Sequence, residues 1–297
     1  MIGENDSERR DDAPRDREGG ADRPVTRVIG FALLACLCSW SVWAVLIVRD
    51  LDPFASIGGG ALWVLGGFGP AVAAGIVEYQ RGGLPAVKRL LGTLLRYRIP
   101  PRWYLAAVGI PALIGLSTVG YGLGTGAVSM ADATPTSLWL VVPLLAINAV
   151  IGGGLGEELG WRGYALPRLQ RRYSALVASL ALAVIWMAWH LPLWIVPGTT
   201  QAEWPLLEFV AMGVALSIIF TWLYNGSRGS VLLLVLAHAA VNAFLSGAFL
   251  LFGDFVDPRI VLGGVIGTVA IAVVLVIATG PRDLAAVERW TEPDPGG

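Results

Sequence analysis

Apolar residues in this chain occur in long runs that are separated by short polar stretches. A helix needs about 20 consecutive apolar residues to cross the hydrocarbon core of a bilayer. Runs near that length predict eight spans, with approximate limits at 28–48, 57–77, 103–123, 137–158, 175–196, 206–224, 229–251 and 260–279. The weakest of them is 103–123, which is rich in glycine and contains Pro111. The pattern therefore predicts an all-α, polytopic membrane protein, a bundle of about eight transmembrane helices.

The composition supports lipid as the solvent for most of the chain. Apolar residues make up 55% of it and charged residues 14%, whereas soluble domains carry about 25% charged residues. An ordinary cytosolic enzyme, a disordered protein and a disulfide-stapled secreted domain are thereby excluded. Cys36 and Cys38 lie two positions apart in one apolar run, so they point to different sides of a helix and are expected to be small apolar fillers. The apolar composition predicts membrane lipid as a partner, whereas the net charge of −1 and the absence of a basic stripe predict no nucleic acid.

The two ends of the chain differ in composition from its centre. Residues 1–27 hold six arginines and eight acids but almost no large apolar residues, which predicts a disordered cytoplasmic tail. The run after it lacks a small-residue cleavage site, so it is interpreted as a span and not as a signal peptide. Residues 28–280 form the predicted membrane domain, and residues 281–297 a polar C-terminal tail.

The distribution of Lys and Arg between the spans predicts the orientation of the protein. Nineteen of the 21 basic residues fall on one side of the predicted bundle, and only Arg49 and Arg259 fall on the other. Because basic loops stay in the cytoplasm, we expect a multi-pass plasma-membrane protein with both termini cytoplasmic.

The segment Leu84–Arg98 is too charged to span a membrane. Leucine and valine recur in it at helical spacing, with Lys88, Arg89, Arg96 and Arg98 between them. This pattern predicts an amphipathic helix that lies on the cytoplasmic leaflet. The alternative is an ordinary connecting helix that packs on the bundle.

Polar residues inside membrane spans are costly and mark function by default. At the cytoplasmic end of the fourth span, Glu158 and Arg162 are spaced i,i+4, so they share a helix face and can form a pair. Glu157 points about 100° away from Glu158 on the same helix, so that it can face a cavity. The alternative is a helix end in cytosolic water that carries a routine surface ion pair.

Both histidines of the chain lie in later spans. Trp186 and His190 are spaced i,i+4 in the fifth span, and His238 and Asn242 have the same spacing in the seventh. An imidazole and a carboxamide on one buried face can both donate hydrogen bonds to a developing oxyanion. Structural alternatives stay open for each pair: an interfacial or satisfied core histidine for His190, and an interhelical hydrogen bond for His238 and Asn242.

Together these residues form a minimal set for the activation of water. A glutamate and two histidines can act as general base and electrophile, or they can hold a metal ion. Their depths pose a problem, because His190 lies about 22 Å along its helix from Ala175 and His238 only about 13 Å from Gly229. Either the fifth helix enters the bilayer late, after residues 168–178 run along the surface, or the site is not compact.

These motifs, in this order, resemble the CPBP family of type II CAAX prenyl endopeptidases and bacteriocin-processing or immunity proteins, also called Abi proteins. The resemblance covers about residues 28–280 and includes Gly69-Pro70 in the second span. One departure is visible, since the family usually has Phe where this chain has Trp186.

The resemblance implies an intramembrane endopeptidase that cleaves a peptide or a membrane-anchored, prenylated-type protein tail. In that case Glu157 is the general base, His190 orients the water, and His238 with Asn242 forms the oxyanion hole. Glu158, Arg162 and Trp186 support the site. Zinc held by Glu157, His190 and His238 is one version of the mechanism, and activation of water without metal is the other. The rival interpretation is a non-catalytic membrane scaffold or immunity protein that retains the motif residues.

Overall fold

A computed structural model describes residues 23–253 and 258–285, and every regular element in those ranges is helical. Twelve α-helices follow one another: α1 Arg23–Val48, α2 Ile57–Gly67, α3 Gly69–Gly92, α4 Pro101–Thr125, α5 Val141–Val150, α6 Gly154–Gly160, α7 Leu166–Gln170, α8 Ala175–His190, α9 Thr200–Glu203, α10 Leu206–Gly226, α11 Val231–Leu251 and α12 Pro258–Thr279. A π-helical turn, Trp161–Ala165, joins α6 to α7. The all-α prediction is confirmed.

The described residues contain six helices that are long and apolar enough to cross a membrane, and up to eight spans if each of two helix pairs, bent by 42° at a short break, forms one span. The prediction of about eight spans lies at the upper end of this range. The predicted run 57–77 breaks at Phe68, between α2 and α3, and the predicted run 137–158 breaks after α5. The run 103–123 forms one helix in spite of Pro111. Pro111 is tolerated there because neighbouring helices can satisfy the backbone groups that a proline frees.

Both broken spans meet at a close contact that only small residues permit. A Cβ atom on Gly156 would lie 2.7 Å from the carbonyl oxygen of Gly67, and one on Gly160 would lie 2.6 Å from that of Pro70. Small residues let helix backbones approach in a membrane, where packing replaces the hydrophobic effect. The corner between α2 and α3 thus holds α6, which carries the two adjacent glutamates, against the bundle.

Hydrogen bonds join loops that the distribution of basic residues assigns to the same side of the membrane. On the Arg-rich side, Ser230 Oγ donates to the carbonyl oxygen of Arg96 at 2.6 Å, and Ala175 N donates to that of Arg282 at 2.8 Å. On the opposite side, Thr134 N donates to the carbonyl oxygen of Leu251 at 2.7 Å. These contacts fix which loops lie together.

The helical bundle extends further toward both ends of the chain than the composition predicts. Residues 23–27, assigned above to the tail, form the start of α1. Residues 281–285, also assigned to a tail, pack on the start of α8, and Leu284 is buried. The rest of both predicted tails, 1–22 and 286–297, lies outside the described residues, so the division into domains remains a prediction.

The segment Leu84–Arg98 combines features of both of its interpretations. Helix α3 changes direction at Gly82 and Gly83 before it continues to Gly92. One edge of the continuation buries Ala86 and Leu90 in the bundle, whereas Leu91 is exposed on the other edge. The segment therefore packs on the bundle and also presents an apolar surface outward.

Candidate active site

Four helices bring the polar residues of the membrane domain to one place. Helix α6 carries Glu157 and Glu158, α8 carries Trp186 and His190, and α11 carries His238. Helix α10 closes one side with Phe220, whose ring centroid is 5.9 Å from that of His238. All six polar or aromatic side chains are buried.

Glu158 and Arg162 form the ion pair that their spacing predicts, but not at a water-exposed helix end. Arg162 Nη1 donates to Glu158 Oε1 at 2.9 Å, and both side chains have 0% exposure. The guanidinium also lies over two aromatic rings, 4.6 Å from the centroid of Trp186 and 4.9 Å from that of Phe220. The alternative of a routine surface ion pair is therefore wrong. A buried charge in this setting needs its partner, because the desolvation penalty is several kcal/mol per ion.

The same carboxylate oxygen holds His238. His238 Nδ1 lies 2.8 Å from Glu158 Oε1, and that oxygen already accepts from Arg162. Since an ionised carboxylate only accepts hydrogen bonds, the proton on this side of the ring belongs to Nδ1. The second nitrogen of His238, Nε2, is then directed away from Glu158. In the neutral ring Nε2 accepts a hydrogen bond, and in the imidazolium it donates one.

Glu157 faces this second nitrogen with one of its two oxygens. Glu157 Oε2 accepts a hydrogen bond from Trp186 Nε1 at 2.6 Å, whereas Oε1 lies 4.0 Å from His238 Nε2. A water that hydrogen-bonds to both atoms at about 2.8 Å fits across this separation. The carboxylate is thus oriented by an indole on one side and directed at an imidazole on the other.

Gly153 keeps this place open. A Cβ atom on residue 153 would lie 2.6 Å from Glu157 Oε1 and 3.2 Å from His238 Nε2. The backbone of Gly153 also has a φ of +104°, a conformation that is essentially reserved for glycine. Sequence reasoning missed this residue, although three consecutive glycines, 152–154, precede the paired glutamates. Any larger residue would occupy the position between the two reactive atoms.

His190 reaches the other groups through Trp186. Its Nδ1 lies 2.8 Å from the carbonyl oxygen of Trp186, and a carbonyl only accepts, so Nδ1 carries a proton and Nε2 is left as an acceptor when the ring is neutral. The predicted packing of His190 on Trp186 is present, with ring centroids 5.7 Å apart. Trp189 and Phe209 complete an aromatic wall around the imidazole, at 4.7 and 5.3 Å.

Asn242 uses its carboxamide to bind another segment of the bundle, which was the structural alternative to a place in an oxyanion hole. Its Nδ2 donates to the carbonyl oxygen of Gly152 at 2.9 Å, which ties α11 to the turn that contains Gly153. One N–H of the carboxamide is used in this way, and the carboxamide has a second one. Its role in an oxyanion hole therefore stays a prediction.

A metal ion is not favoured by the arrangement of these side chains. Zinc needs at least three protein ligands at about 2.0–2.3 Å from one point. In residues 23–253 and 258–285, no three His, Cys, Asp or Glu side chains are grouped as metal ligands would be. His190 and His238 use Nδ1 for Trp186 and Glu158, as zinc-bound histidines also do, so these two bonds do not distinguish the versions of the site. Zinc held by Glu157, His190 and His238 stays a prediction.

Comparisons with known proteins agree with the position of this site. Residues 136–244 match the sequence model of the Rce1-like family, described as type II CAAX prenyl endopeptidase Rce1-like. A segment of 125 residues is 37% identical to CAAX prenyl protease 2 of Methanococcus maripaludis. That match covers 40% of this chain and 45% of the relative, so the chain spans less than half the length of the curated protein it resembles. The matched range contains Glu157, Glu158, Arg162, Trp186, His190, His238 and Asn242, whereas Gly69-Pro70 lies outside it.

Proposed function

We propose that this chain, which matches the type II CAAX prenyl endopeptidase family over residues 136–244, is an intramembrane endopeptidase that hydrolyses a peptide bond with a water activated by Glu157. The observation that carries the proposal is the opposition of Glu157 Oε1 and His238 Nε2 across 4.0 Å beside Gly153. A carboxylate and an imidazole in this arrangement can activate one water and stabilise one oxyanion.

In the proposed reaction, Glu157 takes a proton from water while the water oxygen attacks the carbonyl carbon of the scissile bond. The negative charge that develops on the carbonyl oxygen is stabilised by His238 in its imidazolium form and by the second N–H of Asn242. The bond between carbon and nitrogen then breaks, and Glu157 returns its proton to the leaving amine. His190, with Nε2 as an acceptor, orients the water. Glu158 and Arg162 hold His238 in place.

The substrate proposed is a prenylated peptide whose lipid chain lies in the bilayer beside the bundle. The name of the archaeal relative, CAAX prenyl protease 2, supports this choice. The test is cleavage of a farnesylated CAAX-type peptide by the purified protein in proteoliposomes, with mass spectrometry of the released C-terminal tripeptide. We expect cleavage of this peptide and little cleavage of the same peptide without its prenyl group. Equal rates on both peptides would contradict the prenyl assignment.

A non-catalytic scaffold or immunity protein is the second candidate. It would keep the same motif residues without cleaving any peptide. The two functions differ in one observation: a phenotype of the native protein that survives loss of Glu157, at normal protein abundance, belongs to a scaffold.

We expect the orientation to follow the basic residues, with both termini in the cytoplasm. In a background in which Cys36 and Cys38 are replaced by Ala, cysteines at the exposed positions Ser129 and Thr200 should react with an impermeant thiol reagent in intact cells. A cysteine at the exposed position Arg172 should react only after the cells are opened. Labelling of Arg172→Cys in intact cells would reverse the orientation.

Gly153→Ala is expected to lower kcat by about 10²-fold or more, because the new methyl group would occupy the place between Glu157 and His238 where misplacement by 1 Å already costs about 10²-fold. The positive φ adds strain of about 1–3 kcal/mol, so the melting temperature is measured beside the cleavage rate. Gly109→Ala is the matched control, since a Cβ there meets no atom within 4 Å. An active, folded Gly153→Ala protein would place the reaction elsewhere.

A further inference from the structure

Trp186 contacts three polar groups of the site with three different parts of the residue. Its indole Nε1 donates to Glu157 Oε2 at 2.6 Å, and its backbone carbonyl oxygen accepts from His190 Nδ1 at 2.8 Å. The face of its ring supports the guanidinium of Arg162, whose carbon lies 4.6 Å from the centroid. Its exposed fraction is only 4%. Trp186 therefore occupies the centre of the cluster, where a change in its chemistry reaches Glu157 directly.

We propose that Trp186 is a positioning residue whose indole N–H fixes the orientation of the Glu157 carboxylate, so that the oxygen not bonded to the indole faces the reacting water. The proposal rests on the function of Glu157 as general base. It also assigns a consequence to the departure of this chain from the family pattern. The Phe that is usual at this position supplies an aromatic ring but no donor, whereas Trp supplies both.

The physical argument starts from the freedom of a carboxylate. The last torsion of a glutamate side chain is broad, so burial alone does not set the angle at which the carboxylate faces its neighbours. A hydrogen bond from a neutral donor to an ionised carboxylate is short and about twice as strong as a neutral one. At 2.6 Å, the bond from Trp186 holds Oε2 against the indole. The other oxygen is then directed to Gly153 and His238.

Without this donor, the neighbours of Glu157 include groups that carry or can take a positive charge. Arg162 lies over the same indole ring, and His238 Nε2 is 4.0 Å from Oε1. A carboxylate released from Trp186 can turn toward these groups and close the separation in which the water must bind. The chemical step would slow, while the rest of the substrate-binding surface would not change.

The test removes the N–H without removing the ring. Trp186 is replaced with 3-benzothienylalanine, in which sulfur stands in the place of N–H on a bicyclic ring of nearly the same shape, and in a second variant by Phe. We expect kcat on the farnesylated peptide to fall by about 10–10²-fold in both variants, with KM within about twofold of the native value, as for an interaction that acts in the transition state. The analogue is incorporated by suppression of a stop codon at position 186. Incorporation of Trp at that codon by the same method should restore native kcat.

Trp43 provides a matched control. It is buried, and its indole donates to the carbonyl oxygen of Trp63 at 3.2 Å, so 3-benzothienylalanine at Trp43 also removes one buried indole hydrogen bond. It lies on α1, outside the site. We expect this variant to be less stable to heat, with kcat and KM unchanged.

The outcomes separate this inference from the proposed function. If the sulfur analogue at Trp186 retains native kcat while Glu157→Gln is inactive, Glu157 is the base but Trp186 does not position it, and the inference is overturned. If Glu157→Gln retains native kcat, the proposed function fails, and the inference fails with it. A fall in kcat at Trp186 that is matched by an equal fall at Trp43 would indicate a general effect of lost stability, which also overturns the inference.

Discussion

Replacement of Glu157 by Gln is expected to lower kcat by about 10²–10⁴-fold, the range that one general base contributes. Glutamine keeps the size of the side chain, and its amide oxygen can still accept the hydrogen bond from Trp186 Nε1 that Glu157 Oε2 now accepts at 2.6 Å. It has no basic oxygen that could take a proton from water. The measurement is the steady-state rate of cleavage of the farnesylated peptide in proteoliposomes, beside the thermal stability of the same preparation.

Glu203→Gln is the control for this change. Glu203 is exposed on the short helix α9 and is none of the residues of the proposed reaction, so its replacement removes a carboxylate without touching the proposed chemistry. We expect its rate to equal that of the native protein. A folded Glu157→Gln protein that cleaves at a rate within a few-fold of the Glu203→Gln protein would show that another group is the base.

Arg162→Met is expected to cause the largest loss of stability, about 3–5 kcal/mol in the free energy of unfolding. Both Arg162 and Glu158 have 0% exposure. Removal of the guanidinium therefore leaves a buried carboxylate whose remaining hydrogen-bond partner is His238. Methionine fills much of the volume between Trp186 and Phe220, which separates the effect of charge from that of a cavity. The free energy is measured by denaturant titration in detergent micelles.

The double variant isolates the cause. If the uncompensated charge is responsible, Glu158→Gln should recover a large part of the stability lost in Arg162→Met, because neighbouring changes in one network are not additive. Lys88→Met, at an exposed position of α3, serves as the control for loss of a basic residue and should change stability little. A loss in Arg162→Met as small as that in Lys88→Met would contradict the account of the buried pair.

Local spacing predicted those contacts that lie within one helix. The pair of Glu158 with Arg162 and the packing of Trp186 on His190 both follow from i,i+4 positions, and both are present. The spans followed from apolar runs, because the length of a run is set by the thickness of the bilayer. The breaks at Phe68 and at residues 151–153 did not follow, since each half of a broken span is as apolar as an unbroken one.

Contacts between helices were beyond the reach of the sequence. Nothing in the spacing of Glu157 and Trp186, 29 positions apart, predicts that an indole N–H meets a carboxylate. The depth of the two histidines shows the same limit. The site is compact, and residues 168–178 include both buried side chains, such as Leu169 and Ala175, and the exposed Arg171 and Arg172. Their course along the membrane surface stays a prediction.

The ring of Trp186 lies between the two histidines, whose depths along their helices differ. Its centroid lies 5.7 Å from that of His190 and 5.9 Å from that of His238, so the indole bridges the distance between histidines at different levels of the bundle. The rise per residue along one helix gives the level of each histidine, but it does not show which side chain lies between them.

The central claim is that Glu157 and His238 act together, on one water and one carbonyl group, beside Gly153, and the rates of three variants test it most directly. Glu157→Gln, His238→Ala and the double variant are compared on the farnesylated peptide, with equal amounts of folded protein. Groups that act as a unit lose nearly all of their contribution when either one is removed, so the account predicts that the double variant is within a few-fold of the slower single variant. Losses that multiply in the double variant, or near-native cleavage by both single variants, would contradict it.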